Sequence, residues 1–137
     1  MEGREREVLY YKTVLGTSPF RECRDRIAGD ETRAAVDARI ARLRGGNFGD
    51  SKLIGEGAAE NRIHVGSGYR IYYGIDGENV VLLCAGDKST QDRDIATARK
   101  YWKDYKKRER ERQDAEREKE ALKNAGLQKR SSERPKK

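Results

Sequence analysis

The first half of the chain shows apolar spacings that predict one strand followed by two helices. Residues 7–13 (EVLYYKT) combine aromatic and β-branched side chains in a short run that is typical of a strand. Ser18 followed by Pro19 suits the start of a helix, because the hydroxyl can cap and proline loses no helical hydrogen bond there. Apolar residues at helical spacing then indicate helices over 19–28 and 31–44. Because only two residues separate them, we expect a helical hairpin.

The second half predicts three strands and a final helix. Glycine-rich residues 45–60 indicate a connection, with one turn of structure around Lys52–Ile54. Strands are predicted at 61–65, 69–73 and 79–85, and their short loops favour an antiparallel meander. The third run (NVVLLCA) is apolar on both faces, so we expect this strand to be central and covered. From about Thr90 the spacing becomes helical.

These elements predict an α+β fold in the order β-α-α-β-β-β-α. We expect a small antiparallel sheet with an N-terminal helical hairpin and a C-terminal helix packed on it. The length of 137 residues allows one domain, 1–105, and an appendage, 106–137. That appendage is rich in charged helix formers, so we expect a solvated helix that gives way to disorder over 129–137 (KRSSERPKK).

The composition agrees with a small cytoplasmic protein. Charged residues make up 40% of the chain and the hydrophobic set 34%, with a mean hydropathy of -1.08. No stretch reaches the roughly 18 apolar residues of a membrane span, and the N-terminus lacks the apolar run of a secretory signal. Cys23 and Cys84 are expected to be free thiols in a reducing compartment. We therefore expect no membrane partner.

The positive charge lies mainly in the tail. Residues 1–102 hold 17 Lys and Arg against 16 Asp and Glu, whereas residues 103–137 hold 14 against 8. The sequence pI of about 9.5 therefore does not make the globular part a basic nucleic-acid binder. Any anion site there must come from a few positioned side chains.

Strand alternation predicts one such group on the hairpin formed by 61–65 and 69–73. Arg62, His64, Arg70 and Tyr72 fall on one face, and a three-residue loop at 66–68 would place His64 across from Arg70 and Arg62 across from Tyr72. Facing cations disfavour strand pairing unless an anion binds them. Two guanidiniums, an imidazole and a phenol suit phosphodiester cleavage. The alternative is an ordinary polar outer face of a sheet.

Lys88 is a further candidate because it follows the central strand. Loops at strand ends often present functional groups, so this lysine could contact an anion. The alternative is that the segment 86–94 (GDKSTQDRD) only caps the last helix.

Three stretches resemble a known family. Residues 46–50 (GNFGD), 62–73 (RIHVGSGYRIYY) and 82–95 (LLCAGDKSTQDRDI) resemble the RelE/ParE superfamily of type II toxin–antitoxin toxins. The branch they resemble most is the HigB-type, phage-associated "addiction module killer" proteins, and the resemblance covers roughly residues 8–105. The fold of that superfamily, a small antiparallel sheet with a helical hairpin and a C-terminal helix, agrees with the predicted order.

The resemblance implies an endoribonuclease (mRNA interferase) that cuts mRNA on the ribosome and so inhibits translation, without a metal or other cofactor. By match to the family's motif, Arg70 would stabilise the charged phosphorane, Arg62 would clamp the phosphate and His64 would carry the proton. Lys88 would be a second phosphate contact, and Tyr72 would bind substrate. His64 is the only histidine, too few for a usual zinc site.

The resemblance also implies partners and leaves alternatives open. A cognate antitoxin, often a helix-turn-helix DNA-binding protein, would cover the basic patch, and mRNA and the ribosome would be the targets. One alternative is a non-catalytic ParE-like inhibitor of gyrase. Another is a domesticated relative whose basic tail attaches it to RNA or to the ribosome.

Overall fold

The computed structural model describes residues 5–66 and 68–132, with side chains up to Leu127. Its elements, in chain order, are β1 (Glu7–Tyr10), α1 (Pro19–Asp25), α2 (Asp30–Arg44), β2 (Ser51–Gly55), β3 (Ala58–Ile63), β4 (Tyr69–Asp76), β5 (Asn79–Asp87), a 3-10 turn (Lys88–Thr90) and α3 (Gln91–Ser132). The α+β class predicted from the sequence is confirmed.

The strands form one mixed sheet in the order β1-β5-β4-β3-β2. Neighbours pair antiparallel from β2 to β5, but β1 pairs parallel to β5. The prediction of an antiparallel sheet is therefore wrong at β1. The chain leaves β1, passes through both helices and three strands, and returns in the same direction beside it, and no short-range pattern encodes that crossover.

Strand β2 is a second difference from the prediction, which treated residues 45–60 as a connection. β2 pairs antiparallel with β3 through a tight turn in which Glu56 has φ 59° and Gly57 has φ +90°. Only Ile54 of its five residues is buried, while Leu53 is 77% exposed. An edge strand of this kind lacks the apolar alternation by which sequence patterns reveal strands.

Both predicted helices of the hairpin form, but α1 ends at Asp25, so four residues rather than two separate it from α2. Pro19 is the first residue of α1, and the Ser18 hydroxyl accepts a hydrogen bond from the Arg21 amide at 3.3 Å. Both helices contribute to the core on one face of the sheet, which consists of Phe20, Ile27, Val36, Ile40, Leu43, Ala59, Ile63, Ile71, Tyr73, Val80, Leu82 and Ala85. Residues 80–85 of β5 are buried, so the prediction that this strand is covered is confirmed. The prediction that it is central is wrong, because β4 is the middle strand of the sheet.

The first turns of α3 cover the opposite face. Trp102 lies against Gly74 of β4, so closely that a Cβ at Gly74 would be 2.5 Å from the indole ring. Arg99 donates from Nε to the carbonyl of Ile54 in β2. The sheet is therefore sandwiched between the helical hairpin and the N-terminal part of α3.

The chain divides into two compact units, 1–103 and 104–137. In the second unit, ion pairs one turn apart line the helix, for example Arg112 with Glu116 at 2.7 Å and Arg117 with Asp114 at 2.6 Å. Of the segment predicted to be disordered, 129–132 are helical and 133–137 lie outside the described residues. No helix within 5–66 and 68–132 combines the length and apolarity needed to cross a membrane.

Candidate functional site

The β3–β4 hairpin pairs in a different register from the predicted one. Arg62 faces Arg70, and Tyr72 faces Glu60. The predicted three-residue loop is wrong, because the strands are joined by five residues, 64–68. The pairing is shifted by two residues, which is one full period of the side-chain alternation. Arg62, Arg70 and Tyr72 therefore still share a face, as predicted.

His64 lies outside both strands. Its side chain is 78% exposed, and its Nε2 atom is 3.1 Å from Oδ2 of Asp50. No contact in the described part of the chain joins the imidazole to Arg62 or Arg70. The predicted pairing of His64 across from Arg70 is therefore not found.

The buried carboxylate of Glu60 joins the residues on this face. Its side chain has no exposed surface. Oε2 accepts hydrogen bonds from the Tyr72 hydroxyl at 3.0 Å and from Nε2 of Gln91 at 2.9 Å. Oε1 accepts from Nε of Arg62 at 3.3 Å. We call Glu60, Arg62, Arg70, Tyr72 and Gln91 the arginine cluster.

Arg70 is the least satisfied member of the arginine cluster. It is 9% exposed, and its Nε atom lies 3.7 Å from Oε2 of Glu60, which is beyond hydrogen-bonding distance. That buried Nε finds no acceptor among the described residues, and Nη1 reaches only the Gly68 carbonyl at 3.4 Å. Burying an unmatched charged donor costs free energy, so an anion bound here would stabilise the arginine.

Tyr72 is fully buried, and its hydroxyl is committed to Glu60. Burial, and then the neighbouring Glu60 carboxylate, raise the pKa of this phenol well above its ordinary value. Tyr72 is therefore a neutral hydrogen-bond donor that holds Glu60 from within the sheet, and its ring is not open to a base stacking on it.

Lys88 lies on the 3-10 turn after β5 and is exposed. Asp87 caps this turn, accepting from the Ser89 amide at 2.8 Å, and its hydrogen bonds from Ser89 lower the pKa of the Asp87 carboxyl. Within the described residues, no contact joins Lys88 to the arginines. Gln91, three residues later, is instead the side chain that links this segment to Glu60.

Two members of the arginine cluster, Glu60 and Gln91, were absent from the sequence prediction. β3 begins at Ala58, three residues before the predicted strand, so Glu60 fell within the predicted connection. The signal was nevertheless present, because extending the strand would place Glu60 on the same face as Arg62. Gln91 had no comparable signal, since only the packing of α3 brings it to the sheet.

A second network holds β3 on the opposite face. The buried Asn61 donates from Nδ2 to the Ser51 hydroxyl at 2.8 Å and accepts from Nη1 of Arg39 at 2.9 Å. The same Arg39 nitrogen donates to the Arg62 carbonyl at 2.8 Å. The backbone that carries Arg62 is thus tied to helix α2.

No three His, Cys, Asp or Glu side chains within 5–66 and 68–132 lie closely enough together to hold a metal ion.

Fold and site together define a small α+β protein whose mixed sheet carries two arginines over a buried carboxylate. No protein-family model matches the chain. An uncharacterized protein of Haemophilus influenzae is 53% identical over 68 residues, which is 49% of this chain and 69% of that protein. The chain belongs to the same family as this Haemophilus influenzae protein.

Proposed function

We propose that the protein is the toxin of a type II toxin–antitoxin module of the RelE/ParE superfamily, HigB-type branch, and that it cleaves mRNA without a metal. The observation that carries the proposal is the pairing of Arg62 with Arg70 over Glu60. Two cations share one buried carboxylate, which leaves the arginine cluster with an excess positive charge that suits a phosphate.

In this proposal, the scissile phosphate binds at the two guanidiniums. The ribose 2′-oxygen forms a bond to phosphorus and loses its proton, while the bond to the 5′-oxygen breaks and that oxygen gains a proton. The products are a cyclic phosphate and a 5′-hydroxyl. Arg70 and Arg62 stabilise the charge of the phosphorane, and Glu60 positions them without touching the substrate.

Proton transfer is assigned to His64. Its imidazole is exposed and pairs with Asp50, so rotation of the side chain can bring it toward a bound RNA. Lys88, exposed on the turn before Gln91, supplies a second contact to the RNA backbone. We further propose a cytoplasmic location, with the ribosome as the place of action and an antitoxin that covers the arginine cluster. The two free cysteines agree with a reducing compartment.

A second candidate is a relative that binds without cutting, such as a gyrase inhibitor. The observation in its favour is the composition of the arginine cluster. Its phenol is buried with a raised pKa, and the chain's one imidazole pairs with Asp50. A site with two phosphate-binding cations and no proton carrier in contact would hold an anion without catalysing cleavage.

Substitution of Arg70 tests the proposed function. Induced expression of the wild type is expected to arrest growth and to produce new mRNA 5′ ends. In Arg70→Ala we expect cleavage to fall by roughly 10²–10³-fold, because the main phosphorane contact is lost. Arg42→Ala, which removes an exposed arginine on α2, is the matched control and should cleave like the wild type.

Two other outcomes would reject the nuclease assignment. Unchanged cleavage in a folded Arg70→Ala protein would remove the arginine cluster as the catalytic site. Growth arrest with intact mRNA would favour the second candidate, and a DNA supercoiling assay with purified gyrase would then identify that target.

A further inference from the structure

Only part of the arginine cluster can touch a ligand. The side chains of Glu60 and Tyr72 have no exposed surface. Arg62 keeps 37% of its side-chain surface and Arg70 keeps 11%, while Gln91 is half-buried. A ligand that binds at the arginines therefore meets Gln91 as the remaining accessible member of the cluster, although the cleavage steps above give this residue no part.

Gln91 lies beside Arg70 on the face of the sheet that α3 covers. Nε2 of Gln91 is 2.9 Å from Oε2 of Glu60, and Nε of Arg70 is 3.7 Å from the same oxygen. Because both side chains meet at one atom, their end groups are close neighbours. A group attached next to a phosphate at Arg70 is therefore within reach of the Gln91 amide.

The hydrogen bond to Glu60 fixes the orientation of the Gln91 amide. A carboxylate accepts but does not donate, so the NH2 end of the amide faces Glu60. The carbonyl oxygen, Oε1, is the other end of the same planar group and accepts no hydrogen bond from the described residues. Gln91 thus offers a positioned, neutral acceptor beside the two cations.

The chemistry of this acceptor selects a hydroxyl group. The partial negative charge of a carbonyl oxygen repels phosphate oxygens, but a carbonyl accepts readily from an O–H group. Along an RNA backbone, the O–H group beside each phosphate is the 2′-hydroxyl, on the ribose carbon next to the one that carries the 3′-oxygen. A DNA backbone has no such group, and the 2′-hydroxyl is what allows a protein to distinguish the two.

Gln91 and Lys88 border the same open cavity, which has a volume of about 390 Å³. Its wall consists of residues 88–93, from the 3-10 turn and the first turn of α3. A backbone that passes from Arg70 across Gln91 therefore reaches the lysine to which the proposed function assigns a further RNA contact.

We propose that Gln91 determines specificity for RNA, by accepting at Oε1 a hydrogen bond from the 2′-hydroxyl of the ribose whose 3′-phosphate binds at Arg70. The inference rests on the proposed function and adds the selection of RNA over DNA to it. A neutral amide accepts a hydrogen bond without taking the proton, so Gln91 orients the 2′-oxygen and leaves proton transfer to His64.

Binding of an uncleavable oligonucleotide tests the proposal. It is a fluorescein-labelled pentanucleotide that ends in a 3′-phosphate and carries 2′-O-methyl groups on every ribose except the last. That last sugar carries a 2′-hydroxyl, a hydrogen or a fluorine, and fluorescence anisotropy measures the affinity of the full chain for each form. We expect the hydroxyl form to bind about two- to tenfold more tightly than the other two, because neither hydrogen nor fluorine donates.

Variants connect this preference to Gln91. Gln91→Met keeps the length of the side chain but loses the acceptor, so we expect the three forms to bind equally, and Gln91→Ala should give the same result. A residue that only supports Glu60 would weaken all three forms by one factor and leave the preference intact. Gln113→Met, the same change at an exposed position of α3, should retain the preference. Thermal unfolding checks that each variant is folded.

The outcomes separate this inference from the proposed function. Arg70→Ala should weaken all three forms by a similar factor. Arg70-dependent binding in which the wild type holds the three forms equally overturns the role of Gln91 and leaves the proposed function standing. A preference that persists in a folded Gln91→Met or Gln91→Ala protein also overturns that role. Failure of the wild type to bind any form in an Arg70-dependent way overturns both.

Discussion

Glu60 is the single residue on which the site depends most. Its carboxylate is fully enclosed, accepts from Tyr72, Gln91 and Arg62, and lies 3.7 Å from Nε of Arg70. A buried carboxylate is tolerated only with charged or hydrogen-bonding partners. Removing the carboxylate or one of its partners leaves the remaining group buried without a match. Glu60 therefore stabilises the fold and orients the arginines at the same time.

Replacing Glu60 by glutamine removes the charge while keeping the shape of the side chain. We expect Glu60→Gln to lower the free energy of unfolding by about 1–3 kcal/mol, because buried donors lose a charged acceptor. Urea unfolding followed by circular dichroism measures this change. Glu31→Gln, at an exposed position on α2, should stay within about 0.5 kcal/mol of the wild type. Equal stability of the two variants would show that Glu60 does not organise the site.

At the scale of elements, the contact between β4 and α3 places Gln91 at the site. Gly74 admits the indole of Trp102 against the strand, because a Cβ there would collide with three ring atoms at 2.5–2.6 Å. Because Trp102 packs against Gly74, the N-terminal turns of α3 lie over the sheet, and Nε2 of Gln91 donates to Oε2 of Glu60. One missing methyl group thus decides how closely the helix approaches the sheet.

Adding that methyl group should displace the helix. We expect Gly74→Ala to destabilise the protein by about 1–3 kcal/mol through overpacking. Trp102 is the only tryptophan, so its fluorescence reports on the same contact during urea unfolding. Gly126→Ala is the control, because no atom lies within 4 Å of a Cβ built there. A Gly74→Ala protein as stable as the wild type, with unchanged fluorescence, would contradict this account of the packing.

At the scale of the whole molecule, the two units carry different charge. The first unit, residues 1–103, holds 18 Lys and Arg against 16 Asp and Glu, whereas the second, residues 104–137, holds 13 against 8. The second unit is a helix lined with ion pairs and exposed side chains. Under the proposed function, we expect this charge to add a general attraction for RNA to that of the positioned arginines.

Removing residues 106–137 should separate these two contributions. We expect the truncated protein to bind RNA more weakly and with a shallower dependence on salt, because fewer counterions are released. Affinity measured at several salt concentrations gives that slope. The Arg70→Ala effect should persist in the truncated chain. Complete loss of binding after truncation would instead favour a tail that attaches to RNA or the ribosome on its own.

The sequence predicted most of the framework around the site. Both helices of the hairpin, the three meander strands and the shared face of Arg62, Arg70 and Tyr72 were predicted from spacing alone. Three parts of the prediction were wrong or incomplete: the direction of β1, the existence of β2 and the register that placed His64 across from Arg70. The direction of β1 and the register depend on pairing between strands, and β2 is an edge strand without the apolar alternation that a sequence pattern reveals.

The difference has a physical reason. Helix starts such as Ser18-Pro19 and the alternation of side chains along a strand follow from local backbone geometry, which a short stretch of sequence determines by itself. The parallel pairing of β1 with β5 and the meeting of Glu60 with Gln91 join residues far apart in the chain. Only the packing of the first unit, with the first turns of α3 over one face of the sheet and the hairpin over the other, decides those contacts.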